Sequence, residues 1–266
     1  MDWLQVAILA IIQGLTEFLP ISSSGHLLLP KAILGWPDQG LAFDVAVHVG
    51  SLTAVLLYFH RDVRQLIIAW CLSLKDRHPS ADSRLAWAVI VATIPAAVIG
   101  LLADDFIETH LRSIAVIATT TIVFGALLGW ADSSGSRQKD LFDITLTLAL
   151  VIGFAQALAL IPGTSRSGIT ITAALILGLH REAAARFSFL LSIPLILAAG
   201  GLKTLQLINE AAVVPWLHII GGAVLSGLTA YLCIHVFLRV IERIGMMPFV
   251  IYRFVLGAFL LVLMFL

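Results

Sequence analysis

Six stretches of this chain, residues 43–60, 85–103, 113–131, 187–203, 213–238 and 248–266, are each about as long and apolar as a membrane-spanning helix requires. Backbone N–H and C=O groups in lipid must be paired within the protein, which restricts spanning structure to helices or a closed barrel. Runs of this length point to helices. Of 266 residues, 60% are hydrophobic and only 12% charged, against about 45–50% and about 25% in soluble chains. The expected class is an all-α integral membrane protein, which excludes a secreted or cytosolic enzyme and a disordered chain. Lys+Arg and Asp+Glu number 16 each, so the net charge is zero and nothing favours nucleic acid. Cys71 and Cys233 both lie in apolar stretches and read as small buried hydrophobes. The N-terminus lacks a basic segment before its apolar run, so the whole chain is expected to be the mature protein. No long polar linker divides it, and 1–266 reads as one membrane domain.

Two further apolar regions are interrupted. Residues 3–35 are broken by Pro20-Ile21-Ser22-Ser23-Ser24-Gly25-His26, and residues 141–179 by Pro162-Gly163-Thr164-Ser165-Arg166-Ser167-Gly168. Each half is too short to span, so each region is expected to be a re-entrant hairpin around protein or a wet cavity. Residues 62–74 are expected to lie along the interface. Arg61, Arg64, Lys75, Arg77 and Arg84 share one connection, which the positive-inside rule assigns to the cytoplasm, with Arg137, Lys139, Arg181, Arg186, Arg239 and Arg243 on the same side. Asp104, Asp105 and Glu108, with Arg112, and later Lys203 with Glu210, then face outward, as do both termini. The hairpins enter from opposite sides and their tips meet near the midplane. An ordered internal match supports inverted halves, approximately 1–131 and 141–266: Ser22-Ser23-Ser24-Gly25 against Ser165-Arg166-Ser167-Gly168, Gln13 against Gln156, and Phe43 against Phe187.

Ionisable residues at membrane depth are costly and mark sites of function. Gln13 and Glu17 share a helical face, and Glu17 suits either a divalent cation or a general base. The serine run at 22–24 reads as a helix start, whose free N–H groups bind anions such as phosphate. A serine near His26 and Glu17 is a candidate nucleophile. The second tip offers Gly163 for close approach, hydroxyls on Thr164, Ser165, Ser167 and Thr170, and the planar donor fork of Arg166. His48, four residues after Asp44, could face the same cavity as a further metal ligand. Arg253 reads from its position as a cation snorkelling to a cytoplasmic end. Gly125 and Gly129 suit close helix packing.

The segments Gln13–His26 and Pro162–Gly168, with Phe187–Leu191 and Pro248–Arg253, resemble the signatures of the bacterial undecaprenyl pyrophosphate phosphatases of the bacitracin-resistance type. The resemblance covers nearly the whole chain. It implies an inner-membrane enzyme with an inverted repeat and an outward-opening site. The implied reaction converts the lipid pyrophosphate to the monophosphate carrier of peptidoglycan synthesis, with a divalent cation, Mg²⁺ or Ca²⁺. It implies Glu17 as the acid of the first motif, Ser23 as nucleophile and His26 as its acid/base partner. Arg166 is implied as the phosphate-binding arginine. Ser22, Ser24, Gly163, Thr164, Ser165, Ser167, Thr170 and Arg253 then contact substrate, and Glu17 with Gln13 and His48 are the candidate metal ligands. Two positions depart from the pattern: Gln13 stands where many members carry Glu, and His48 where members carry Gln. An amide cannot replace a second carboxylate, so Glu17 is the sole acid of the pair. Attack by Ser23, by His26 or by water all stay open. Expected partners are the isoprenoid lipid pyrophosphate and membrane lipid, and a homo-oligomer is compatible with the sequence. A transporter or flippase of a phosphorylated lipid is the alternative, because it would use the same midplane architecture.

Overall fold

The computed structural model describes residues 1–75, 80–209 and 215–264. Among these residues the chain forms eleven α-helices: α1 Trp3–Thr16, α2 Ser23–Leu34, α3 Leu41–Tyr58, α4 His60–Ser73, α5 Ala81–His110, α6 Ile114–Ser134, α7 Leu146–Ala157, α8 Arg166–Ile176, α9 Arg181–Asn209, α10 Trp216–Ile244 and α11 Met247–Leu263. Short 3₁₀ turns, Leu141–Asp143 and Leu158–Leu160, precede and follow α7. Arg77, Glu210 and the ends of two expected spans, residues 213–214 and 265–266, lie outside the described residues.

Among the described residues, five helices are long and apolar enough to cross a membrane: Leu41–Tyr58, Ala81–Ala103, Ile114–Ser134, Arg181–Leu207 and Trp216–Ile244. The sixth expected span is α11, described over 17 residues. At about 1.5 Å per residue it covers roughly 25 Å of a hydrocarbon core about 30 Å thick. The protein is a multi-pass membrane protein. The expected interfacial segment is α4, none of whose residues is buried. Cys71 lies on it and is exposed, unlike Cys233, so the expectation of two buried cysteines holds for Cys233 alone. A helix lying on the bundle buries only what lipid covers, and residue type alone does not reveal that.

Local signals set the helix ends. Asp2 and Gln5 form a reciprocal capping box on α1, and Ser80, Ser113 and Thr145 cap α5, α6 and α7 with side-chain oxygens. Each hairpin packs on a long helix, α1 on α10 and α7 on α5. A Cβ on Gly14 of α1 would lie 2.5 Å from the Ser226 carbonyl of α10, and one on Gly153 of α7 would lie 2.6 Å from the Ala92 carbonyl of α5. Backbones therefore touch at both crossings. Gly125 and Gly129 likewise admit Arg253 and Val250 of α11 against α6.

The polar ends separate cleanly. Arg186 pairs with Asp62 at 2.8 Å, Arg181 with Asp132 at 2.6 Å, and the Glu182 N–H donates to Glu242 at 2.7 Å. These contacts gather the ends of α6 and α10 with the starts of α4 and α9. At the opposite end, the Trp3 ring at the start of α1 packs at a tilt against His218 at the start of α10, with ring centroids 4.6 Å apart. The α1–α2 and α7–α8 hairpins thus enter from opposite ends and meet inside the bundle.

Candidate functional site

The two hairpin tips are built alike. In the first, Glu17 continues the α1 spiral, with its N–H on the Gln13 carbonyl at 3.0 Å, until Pro20 withdraws a donor and ends it. The chain reverses at Ser22, at φ 73°, and the second tip reverses at Ser165, at φ 72°. This left-handed region is sparsely used by side-chain-bearing residues, and such strain concentrates at functional sites. Each serine compensates locally: Ser22 Oγ accepts the Gly25 N–H at 3.4 Å, and Ser165 Oγ accepts the Gly168 N–H at 3.1 Å. Each also meets the hydroxyl two residues on, Ser22 with Ser24 and Ser165 with Ser167, both at 3.2 Å. In this register Ser23 and Arg166 occupy the same place, the first residue of α2 and of α8.

The tips are locked to each other and to α6. The Gly163 N–H donates to Ser24 Oγ at 3.2 Å, and Ser167 Oγ donates to the Leu19 carbonyl at 2.8 Å. Gly163 sits at φ 91°, and a Cβ there would collide with Thr120 Oγ1. Thr120 and Thr121 in turn donate to the Pro162 and Gly163 carbonyls at 2.6 and 3.3 Å. Nothing in the two tip motifs points to these threonines. A Thr119–Thr121 run inside an apolar span was the available signal.

Glu17 stands at the centre. Its Oε1 accepts from Arg166 Nη2 at 2.9 Å, and its Oε2 accepts from Gln13 Nε2 at 2.9 Å and from Ser23 Oγ at 3.4 Å. His48 Nε2 lies 3.8 Å from the same Oε2, while its Nδ1 is 2.7 Å from the Asp44 carbonyl. Arg166 also donates to the Ser188 carbonyl at 3.1 Å and sits over the Phe18 ring, 5.8 Å from its centroid. Two of its five N–H donors are thus committed to protein. Thr170 ties α8 to α9 through Ser188 Oγ at 2.7 Å. Both α2 and α8 begin here, so two helix N-termini converge on one point, the arrangement that favours an anion.

Sequence-nominated residues divide accordingly. Gln13, Glu17, Ser23, His48 and Arg166 come together at the centre, and Ser22, Ser24, Gly163, Thr164, Ser165, Ser167 and Thr170 form its walls. Two do not take the places expected of them. Arg253 does not snorkel: it is wholly buried and points inward from α11. Its guanidinium donates to the carbonyls of Thr121 at 3.0 Å, Pro20 at 3.2 Å, Thr120 at 3.4 Å, Gly163 at 3.1 Å and Thr164 at 3.0 Å. That binds both tips to α6, and it leaves no exposed face for substrate. His26 points to Tyr252 of α11, at 2.6 Å, and no hydrogen bond joins it to Ser23 among the described residues.

Two buried side-chain oxygens at the tips, Gln13 Oε1 and Thr164 Oγ1, have no hydrogen-bond partner among the described residues. Buried polar atoms are nearly always paired, and each of these two retains the capacity to accept a hydrogen bond. Among the described residues no three His, Cys, Asp or Glu side chains gather as a metal cluster. The Glu17 carboxylate and Gln13 Oε1 nevertheless fit a hard cation of the kind held by one carboxylate plus substrate phosphate oxygens.

The profile of the family described as bacitracin resistance protein BacA matches residues 6–259. An undecaprenyl-diphosphatase of Teredinibacter turnerae is 63% identical over 262 residues, covering 98% of this chain and 99% of that one. One of Chromohalobacter salexigens is also 63% identical over 262 residues, with the same coverage. The undecaprenyl-diphosphatase 1 of Pseudoalteromonas translucida is 55% identical over 262 residues, covering 98% of each chain. The paired serine-rich tips and the match along nearly the whole length place this chain in the bacitracin resistance protein BacA family.

Proposed function

We propose that this protein hydrolyses undecaprenyl pyrophosphate to the monophosphate and inorganic phosphate at the meeting point of its two hairpin tips. The observation that carries the reading is Ser23 and Arg166 at equivalent first-turn positions, both bonded to Glu17, between two converging helix N-termini. The isoprenoid tail stays in lipid between helices while the head group enters the site. Phosphoryl transfer needs little beyond positioning and neutralised charge. The uncommitted donors of Arg166 and the N–H groups opening α2 and α8 hold the pyrophosphate. Glu17 takes the Ser23 hydroxyl proton as Oγ attacks the terminal phosphorus. The bridging P–O bond breaks, and the lipid monophosphate leaves with its electron pair. Water then cleaves the phosphoserine, and Ser23 recovers its proton. Glu17 and Gln13 Oε1 would hold a divalent cation, Mg²⁺ or Ca²⁺. That ion, when bound, neutralises phosphate charge.

In the cell this activity would regenerate the carrier lipid for peptidoglycan synthesis and confer bacitracin resistance. The basic connections support an inner-membrane orientation with the site opening outward. The test is phosphate release from undecaprenyl pyrophosphate by purified protein, with and without chelator, beside Glu17→Ala and Arg166→Ala. Cation-dependent release lost in both variants is the expected result. No release from folded wild-type protein would sink the reading and leave a transporter of phosphorylated lipid, which hairpins entering from opposite ends also suit.

A further inference from the structure

The two tips match at Ser22 and Ser165, at Ser24 and Ser167, and at Gly25 and Gly168, but they differ one residue further on. The second tip closes with the Ile169 backbone N–H on the Ser165 carbonyl at 2.9 Å. In the first tip, the His26 ring takes that role: Nδ1 lies 2.7 Å from the Ser22 carbonyl. A carbonyl only accepts, so Nδ1 carries the proton. On the neutral ring Nε2 is then an acceptor, and Tyr252 Oη donates to it at 2.6 Å. The two rings are stacked, 5.4 Å between centroids and 6° apart in plane. His26 is buried, both its nitrogens are engaged, and the charged group acting on it is Arg253, from the same helix as Tyr252.

We infer that Tyr252 and His26 are positioning residues for the hydrolysis proposed above. They form a relay from α11 that fixes the Ser22 carbonyl, and hence the strained turn presenting Ser23 to Glu17, without carrying a proton of the reaction. The relay is absent from the tip that bears Arg166. There the equivalent residue is Ile169, and a backbone bond suffices. The tip bearing the hydroxyl nucleophile is the one that needs its orientation set from outside. This inference rests on the hydrolase reading for its kinetic consequence and on the hydrogen-bond pattern alone for its geometry.

The two are tested separately. Tyr252→Phe removes the donor and keeps the stacked ring; it should lower kcat by about 3- to 30-fold, the loss of one hydrogen bond of about 0.7–2 kcal/mol, with KM unchanged. His26→Asn places an amide N–H where Nδ1–H stands and has no titrating group. It should retain more activity than His26→Ala and keep the wild-type pH profile. Tyr252→Phe should have no further effect in the His26→Asn background. A limb of the pH profile lost in His26→Asn, with activity as low as His26→Ala, would make His26 the proton carrier and overturn the inference. So would full kcat in Tyr252→Phe. Nitrogen-15 spectra of histidine-labelled protein, with His26 assigned through His26→Asn, read the geometry without substrate. The inference requires the Nδ1–H tautomer and a shifted Nε2 resonance in Tyr252→Phe, and an Nε2–H tautomer refutes it. Wild-type protein that releases no phosphate would defeat the hydrolase reading, while these spectra would still decide the relay.

Discussion

Replacing Arg253 by Met keeps the side-chain bulk and removes every donor that ties the tips to α6. Five carbonyls lose this partner, but not equally. Those of Thr120 and Thr121 lie within α6, and that of Gly163 keeps the Thr121 hydroxyl. The Pro20 and Thr164 carbonyls, one from each tip, are left buried with no other hydrogen bond described. At about 1–3 kcal/mol for each orphaned group, the change costs about 2–6 kcal/mol. The assay is thermal inactivation in detergent together with steady-state kinetics at a temperature where the variant stays folded. The expected result is a clearly lowered midpoint and a reduced kcat with KM little altered, because tip geometry is disturbed and substrate contacts are not. Arg253→Lys should fall between, since one ammonium reaches fewer carbonyls than a guanidinium fork. A variant of wild-type stability whose only defect is a raised KM would refute the bracing role and return Arg253 to substrate binding.

Other expectations are independent of that brace. Gly14→Ala drives a Cβ to 2.5 Å from the Ser226 carbonyl and should destabilise the α1–α10 crossing by about 1–3 kcal/mol, read as a lowered inactivation midpoint. Glu17→Gln removes the proton acceptor and the partner of a largely buried Arg166; activity should fall by about 10²–10⁴-fold with the protein still folded, and near-normal turnover would remove Glu17 from the chemistry. Asp140, outside the spans, has its carboxyl held below the usual range by the Leu141 N–H at 2.6 Å and by His180. A lowered folded-state pKa gives stability that is present above the ordinary carboxylate pKa and is lost as pH falls through the lowered value. Midpoints measured from neutral pH down into the carboxylate range should therefore fall further for wild type than for Asp140→Asn. The difference should be small because Asp140 is exposed.

Much of this arrangement is legible in the sequence because lipid makes polar residues conspicuous. Pro20 and Pro162 followed by serines in apolar runs can only be breaks, and Glu17 and Arg166 beside them have no cheap alternative to meeting each other. What the sequence conceals is direction. Arg253 near a helix end reads as snorkelling, yet α11 turns it inward, where Gly125 leaves room for its stem on α6. His26, three residues after Ser23 along the chain, reads as its base, yet its ring is turned toward Tyr252 on α11. Thr120 and Thr121 look like ordinary helix residues until the second tip is seen lying against them. Each miss is a long-range contact, 42 to 233 residues apart in sequence, that no local pattern encodes.

The central claim is that Ser23 on the first tip attacks the terminal phosphate. It is tested most directly by phosphate release from undecaprenyl pyrophosphate by Ser23→Ala beside Ser24→Ala, with capture of phosphoprotein from terminally labelled substrate. Ser23→Ala should lose both turnover and labelled protein, while Ser24→Ala, which loses only the contacts to Ser22 and Gly163, should still form the phosphoserine. Normal turnover in Ser23→Ala, or label that persists in it, would exclude Ser23 as the nucleophile.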